Sequence, residues 1–192
     1  AEPNETPWLL CQNPEFLPMF RELGEPVADQ DLLPVDIFAD NLDVSKDYET
    51  AFQGNVEMER GQSWLTTESL FYNHQTKLYR TGGQVKFQNE LLRMIADSAE
   101  GNEETGSIIL SGLKYQFHES NGNGTAERAS MQGGSGQLKN ADFSTCPVNQ
   151  KQWRFRAAQI DIDEQSSKGT ARNVKLELGG VPHEICETME RA

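Results

Sequence analysis

The feature that most constrains this chain is a recurring unit of about thirty residues. A small residue, a polar pair and then alternation return at Ala39-Asp40-Asn41-Leu42-Asp43-Val44, Thr67-Glu68-Ser69-Leu70-Phe71-Tyr72, Ala96-Asp97-Ser98-Ala99-Glu100-Gly101, Ala126-Glu127-Arg128-Ala129-Ser130-Met131 and Ala157-Ala158-Gln159-Ile160-Asp161-Ile162, at spacings of 28, 29, 30 and 31. A second register, Gly54-Asn55-Val56, Gly83-Gln84-Val85 and Gly112-Leu113-Lys114, returns at 29 and 29. A half-unit, Ala171 to Leu176, follows 14 residues after Ala157, so the full unit holds two strands. Within units the apolar period is two, as a strand with one buried face requires: Leu113, Tyr115 and Phe117 alternate with Lys114, Gln116 and His118. Asn89 to Ala99 is compatible with a helix on pattern alone, but its place in the repeat assigns it to strands. Turn residues fall between strands, as at Asn121-Gly122-Asn123-Gly124 and Gly133-Gly134-Ser135-Gly136.

One hairpin cannot bury its own apolar face, so such units stack. The expected fold is all-β, a rolled or V-shaped antiparallel sheet of about ten to twelve strands whose inward stripe becomes an elongated apolar trough if one side stays open. A trough suits a chain-like apolar ligand better than a compact polar one. Alternation places Val56, Met58, Leu70, Tyr72, Val85, Phe87, Leu113, Tyr115, Phe117, Trp153, Phe155, Ile160, Ile162, Val174 and Leu176 on its lining, with ordinary sandwich core as the competing role for each.

Charge divides the chain. Residues 1–50 hold twelve acids against Arg21 and Lys46, together with six of the eight prolines. Residues 1–34 therefore read as an acidic, Pro-rich extended arm, with Trp8-Leu9-Leu10 able to dock on a β body spanning 35–182; a tail of 183–192 follows. The formal net charge of -13 excludes a nucleic-acid binder, whose backbone this surface would repel. No apolar run approaches the roughly 20 residues of a membrane-spanning helix. A first residue of Ala fits removal of a signal peptide. Between Lys151 and Lys175 six bases face three acids, which reads either as a solvated strand face or as contact with the phosphates of a ligand head group.

Catalytic signatures are absent from the sequence. His74, His118 and His183 form no H-E-x-x-H motif, and Gly133 to Lys139 lacks the ending of a phosphate loop, so neither a metal nor a cofactor is expected. Asp161 and Asp163 share a strand face, the outward one, which is unsuited to glycoside hydrolysis. The cysteines Cys11, Cys146 and Cys186 are too widely spaced for zinc ligation.

Gln53-Gly54-Asn55-Val56, Ala96 to Asn102, Phe143-Ser144-Thr145-Cys146-Pro147, Trp153-Arg154-Phe155-Arg156-Ala157, Gly169 to Val174 and Gly180-Val181-Pro182 resemble the periplasmic N-terminal domain family of LptD, from about Pro34 to Pro182. The resemblance implies a β-jellyroll at the periplasmic face of the outer membrane of a Gram-negative bacterium. There it receives lipopolysaccharide from an LptA-like bridge docked edge to edge and passes the acyl chains toward a C-terminal barrel plugged by LptE, with no enzymatic step. It further implies that Cys11 and Cys146 take the places of cysteines that pair with others near the end of the barrel. Those partners are absent from this chain, leaving Cys11 and Cys146 free, mispaired or joined to each other, and Cys186 matches nothing in the family pattern. The competing readings are a soluble LptA-like bridge, a β-repeat carbohydrate-active enzyme and a structural β-repeat with a closed core.

Overall fold

The computed structural model describes residues 17–23, 33–45, 48–118, 122–146, 152–163, 166 and 168–191, with 184–191 followed by backbone alone. The strands are β1 (Asp36–Phe38), β2 (Asn41–Val44), β3 (Glu49–Arg60), β4 (Ser63–Asn73), β5 (Leu78–Gly82), β6 (Val85–Gln88), β7 (Leu92–Ala96), β8 (Ser98–Asn102), β9 (Ser107–Phe117), β10 (Asn123–Gln132), β11 (Ser135–Ser144), β12 (Trp153–Asp163), β13 (Lys168–Leu178) and β14 (Val181–Arg191). All fourteen belong to one antiparallel sheet. β1 and β2 both run along β3, β5 and β6 along β4, and β7 and β8 along β9, so each of these pairs is one strand cut in two. Counted that way, eleven strands lie side by side as a meander, within the range expected from the repeat. Among the described residues the sheet does not close: β1 and β2 pair only with β3, and β14 only with β13. The segment set apart as a tail after Pro182 lies within β14.

The cuts fall on a single line that crosses every strand. Four members of the meander carry an acid there, each opposite a residue with positive φ: Asp40 faces Gly54 (φ 77°) and Asn55 (φ 45°), Glu68 faces Gly83 (φ 86°), Asp97 faces Gly112 (φ 62°) and Glu127 faces Asn140 (φ 47°); Ala158 takes the acid's place opposite Asn173 (φ 53°). Positive φ is accessible to glycine without cost and to asparagine at little. From β9 to β13 the register is the same on both sides of the seam, so each strand contributes one residue there, and the bend moves the side chains beyond it to the other face. Thus Leu113 and Tyr115 point inward beyond Gly112, whereas Leu110 and Ile108 do so before it. The acids fill the outer side of the bend. Asn55 Nδ2 donates to Asp40 Oδ2 at 2.9 Å, and Asn140 Nδ2 donates to Glu127. The two sequence registers are the two sides of this seam.

On the inner side of a bend the space narrows, and small side chains stand there. Leu113, Ala126, Ala141, Ala157 and Val174 are cross-strand neighbours along the crease, all buried. Bulky residues stand further out on both slopes, including Leu65, Met94, Phe143, Leu138 and Ile160, packed on the alanine core.

Within the arm expected to be extended, residues 17–23 lie on the outer face. Leu17 is buried and its N–H donates to Gln116 Oε1 at 2.9 Å. The Phe20 N–H donates to Gln88 Oε1 at 2.8 Å, Gln88 Nε2 returns a bond to the Arg21 carbonyl at 2.5 Å, and Arg21 pairs with Glu57 and Glu59. Beneath this stretch runs a cross-strand ladder of buried polar residues, Gln88, Arg93, Gln116, Asn123 and Ser144. Trp8-Leu9-Leu10 lies outside the described residues.

A methyl group at Gly112 would lie 2.0 Å from Asp97 Oδ2. Gly112→Ala is therefore expected to lose at least about 2 kcal/mol in urea unfolding, from backbone strain plus the clash. The double variant with Asp97→Ala should recover the clash share only, leaving about 1 kcal/mol of strain.

Candidate lipid-binding trough

Strand pairing builds the inner face row by row. On one slope Met58, Leu65, Phe87, Met94, Tyr115, Gly124, Phe143, Phe155 and Leu176 are successive cross-strand neighbours from β3 to β13. On the other slope Leu110, Ala129, Leu138, Ile160 and Ala171 form a row, and beyond them Tyr72, Tyr79, Gly101, Ile108, Met131, Gly136 and Ile162 form another. All fifteen residues expected on the lining stand on this face: Val56, Val85, Leu113 and Val174 at the crease, the others on the slopes. Exposure rises from floor to rim. Val56 is 0% and Val174 2% exposed, whereas Phe117 is 39%, Met131 42% and Leu178 47% exposed. The apolar surface thus reaches the mouth of the fold and is left open to contact. Phe117 stands at that mouth with its ring edge-on to Tyr115 at 5.7 Å, and Trp153 lies tilted against Phe143 at 6.0 Å.

Alternation alone missed Phe143, Leu65, Met94, Ile108, Leu110 and Leu138. The bend is the reason: a period of two continued through Asn140 or Gly112 assigns one arm of each strand to the wrong face. The positive-φ residues, read as a change of phase, would have found them. Gly124 marks another packing decision. A Cβ there would meet the Asp142 carbonyl at 2.0 Å and Tyr115 Oη at 2.7 Å. The tyrosine ring takes that space, and its hydroxyl donates to the Asp142 carbonyl at 3.1 Å.

Among the described residues, no carboxylate stands on these inner rows, and no group of three metal-ligating side chains occurs. Asp161 faces outward, accepting from Gln137 Nε2 at 2.9 Å and lying 3.6 Å from Arg172. His74 Nε2 is 2.7 Å from Thr50 Oγ1. His118 Nε2 is buried with no partner, and burial lowers the pKa of that ring. Cys146 is buried and disulfide-bonded. Its N–H donates to Ser144 Oγ and its carbonyl accepts from Asn123 Nδ2. The side chains of Cys11 and Cys186 lie outside the described residues.

An open meander with this apolar face and this two-strand repeat has known relatives. The family described as "LptA/(LptD N-terminal domain) LPS transport protein" matches residues 36–168. The chain belongs to that family. LPS-assembly protein LptD of Xanthomonas oryzae pv. oryzae (strain MAFF 311018) is 38% identical over 181 residues, covering 91% of this chain and 22% of the relative. The protein of the same name from Xylella fastidiosa (strain 9a5c) is 34% identical over the same length. The chain therefore spans 22% of the length of these relatives. Among solved structures, LptH, the LptA-homologous periplasmic component of the lipopolysaccharide transport device of Pseudomonas aeruginosa, matches with a TM-score of 0.41 at 13% identity, over 76% of this chain and 86% of that one.

Burial, and secondarily the charge of Asp142, raises the pKa of Tyr115 far above the ordinary phenol value. The unfolded phenol releases its proton near pH 10, so the Tyr115 contribution to stability is complete below that pH and is lost as pH rises above it. The urea midpoint should fall between about pH 9 and 11, and fall less in Tyr115→Phe. At neutral pH that variant should cost about 1 kcal/mol for the lost hydroxyl bond.

Proposed function

We propose that this chain is the periplasmic domain of an outer-membrane lipopolysaccharide assembly protein, and that its inner face carries acyl chains. The observation that supports this reading is the continuous apolar surface that crosses the strands and rises to an exposed rim. Each methylene withdrawn from water there contributes about 0.8 kcal/mol, so fatty chains partition onto the slopes while sugars and phosphates stay in solvent. Movement along the rows exchanges one apolar contact for a similar one, so the domain needs no chemistry of its own.

The two open edges suit the partners of such a conduit. The first edge presents unpaired backbone with Phe38, Leu42 and Val44 exposed, and the last edge is β14. Exposed edges of this kind are covered in use by strand addition. An LptA-like bridge adding its own sheet would continue the trough, and a C-terminal barrel with LptE would receive the lipid at the other end. In this reading residues 1–34, 35–182 and 183–192 act as arm, conduit and connection, and links from Cys11 and Cys146 to that barrel would form by exchange of the disulfide that Cys146 makes within this chain.

Photocrosslinking in cells tests the proposal. A crosslinking residue at Phe87 or Phe155, on the inner rows, should give lipopolysaccharide adducts, whereas one at Lys114 or Lys139, on the outer face, should give none. Absence of adducts from every inner position, or equal yields from both faces, would overturn it.

A further inference from the structure

The rim of the trough is apolar along most of its length and polar at one corner. From β9 onward the outermost row of one slope holds Ile108, Met131 and Ile162, and the opposite rim holds Phe117, Trp153 and Leu178. On β3, β4, β5 and β8 the first of these rows reads Thr50, Tyr72, Tyr79 and Gly101. Two residues beyond Tyr72 stands His74, whose Nε2 lies 2.7 Å from Thr50 Oγ1 and whose ring meets that of Tyr72 edge-on at 4.8 Å. Two residues beyond Gly101 stands Glu103, which accepts from the Tyr72 hydroxyl. Tyr48, exposed, adjoins them through its carbonyl, which accepts from the His74 N–H. Three of the chain's four tyrosines thus gather at this corner.

Elsewhere on the inner face a tyrosine over a glycine is closed off within the fold. Tyr115 lies over Gly124, and its hydroxyl donates to the Asp142 carbonyl at 3.1 Å. Tyr79 lies in the same way over Gly101, where an added Cβ would collide with its hydroxyl. Among the described residues that hydroxyl has no hydrogen-bond partner, although the ring is half-buried. Glu103 is exposed, and only its Oε2 is taken by Tyr72, which leaves a carboxylate with room for several further donors. Toward the open mouth the corner therefore offers a donor at Tyr79, acceptor capacity at Glu103 and the rings of Tyr72 and Tyr79. Glu103 and Glu104 stand on one turn here and Lys77 on the other, so the local charge disfavours an anion.

We infer that this corner is a binding site for a neutral sugar ring, whose C–H face lies on Tyr72 and Tyr79 while its hydroxyls donate to Glu103 and accept from Tyr79. A tyrosine presents an apolar body and a polar tip together, as a sugar does. A hydroxyl donating to a carboxylate makes a charge-assisted bond, roughly twice as strong as a neutral one. The choice of a sugar rests on the lipopolysaccharide reading: a glycan joined to acyl chains on the slopes emerges at the rim. The inference places that glycan at the β3–β8 end of the trough. At the other end the same row offers Met131, Gly136 and Ile162, which bond to no hydroxyl through their side chains.

Amide-resolved NMR titration of the whole chain with di-N-acetylchitobiose, which has sugar rings and no acyl chain, tests the inference. Saturable shifts confined to residues 48–50, 72–79 and 101–104 are expected, with glycerol at the same hydroxyl concentration producing none. Tyr79→Phe and Glu103→Gln should each weaken binding about fivefold, as loss of one hydrogen bond does, and both should keep urea midpoints near that of the wild type. Glucose 1-phosphate should bind severalfold more weakly than methyl glucoside. Adducts from Phe87 and Phe155 report acyl contact and this titration reports sugar contact, so either can fail while the other stands. Shifts no larger than those of glycerol, equal affinity in the wild type and in the double variant, or tighter binding of the phosphorylated sugar would overturn the inference.

Discussion

The structure depends on one backbone constraint: a line of residues held at positive φ that bends the strands at a common height. A flat eleven-strand sheet would expose one complete apolar face to water. Bending every strand at Gly54, Gly83, Gly112, Asn140 and Asn173 turns that face against itself, and burial of the alanine and valine crease then offsets the entropy of ordering long strands. The acids opposite are part of the same constraint. Their side chains occupy the outer space that a Cβ at the glycine would need, so each unit fixes both partners at once.

Much of this was legible in the sequence. The thirty-residue spacing gave the two-strand unit, the strand number and the assignment of residues 89–99 to strands, and the alternation in β9, β12 and β13 put Tyr115, Phe155 and Leu176 on the inner face. The change of phase was not legible, because a period of two carries no information about a seam residue that neighbouring strands place at the same height. Hence Phe143 and Leu138 were missed. The docking of Leu17 to Arg21 was hidden for another reason. It rests on backbone bonds to Gln88 and Gln116, and polar residues in a strand pattern read as solvent-facing until something is seen to cover them. The acidic composition of the arm pointed to solvent, whereas Arg21, its one base, is the residue that meets Glu57 and Glu59.

The two faces of the sheet therefore have separate roles. The inner face has nearly uniform chemistry and varies in side-chain size, small at the crease and large toward the rim. The outer face is chemically varied. At one end a buried polar ladder holds backbone from the N-terminal stretch and leads through Asn123 to the disulfide-bonded Cys146. Toward the C-terminal strands it carries cross-strand ion pairs, Arg156 with Glu177 and Arg172 with Asp161.

Every strand of the meander pairs only with those next to it in sequence, so the domain grows by whole hairpins. With neighbouring strands about 4.8 Å apart, each unit added or removed changes the reach of the sheet by about 10 Å and leaves its cross-section unaltered. Gene duplication of a single hairpin can thus adjust the length of the sheet, as a ladder is lengthened by rungs, without redesigning the interior.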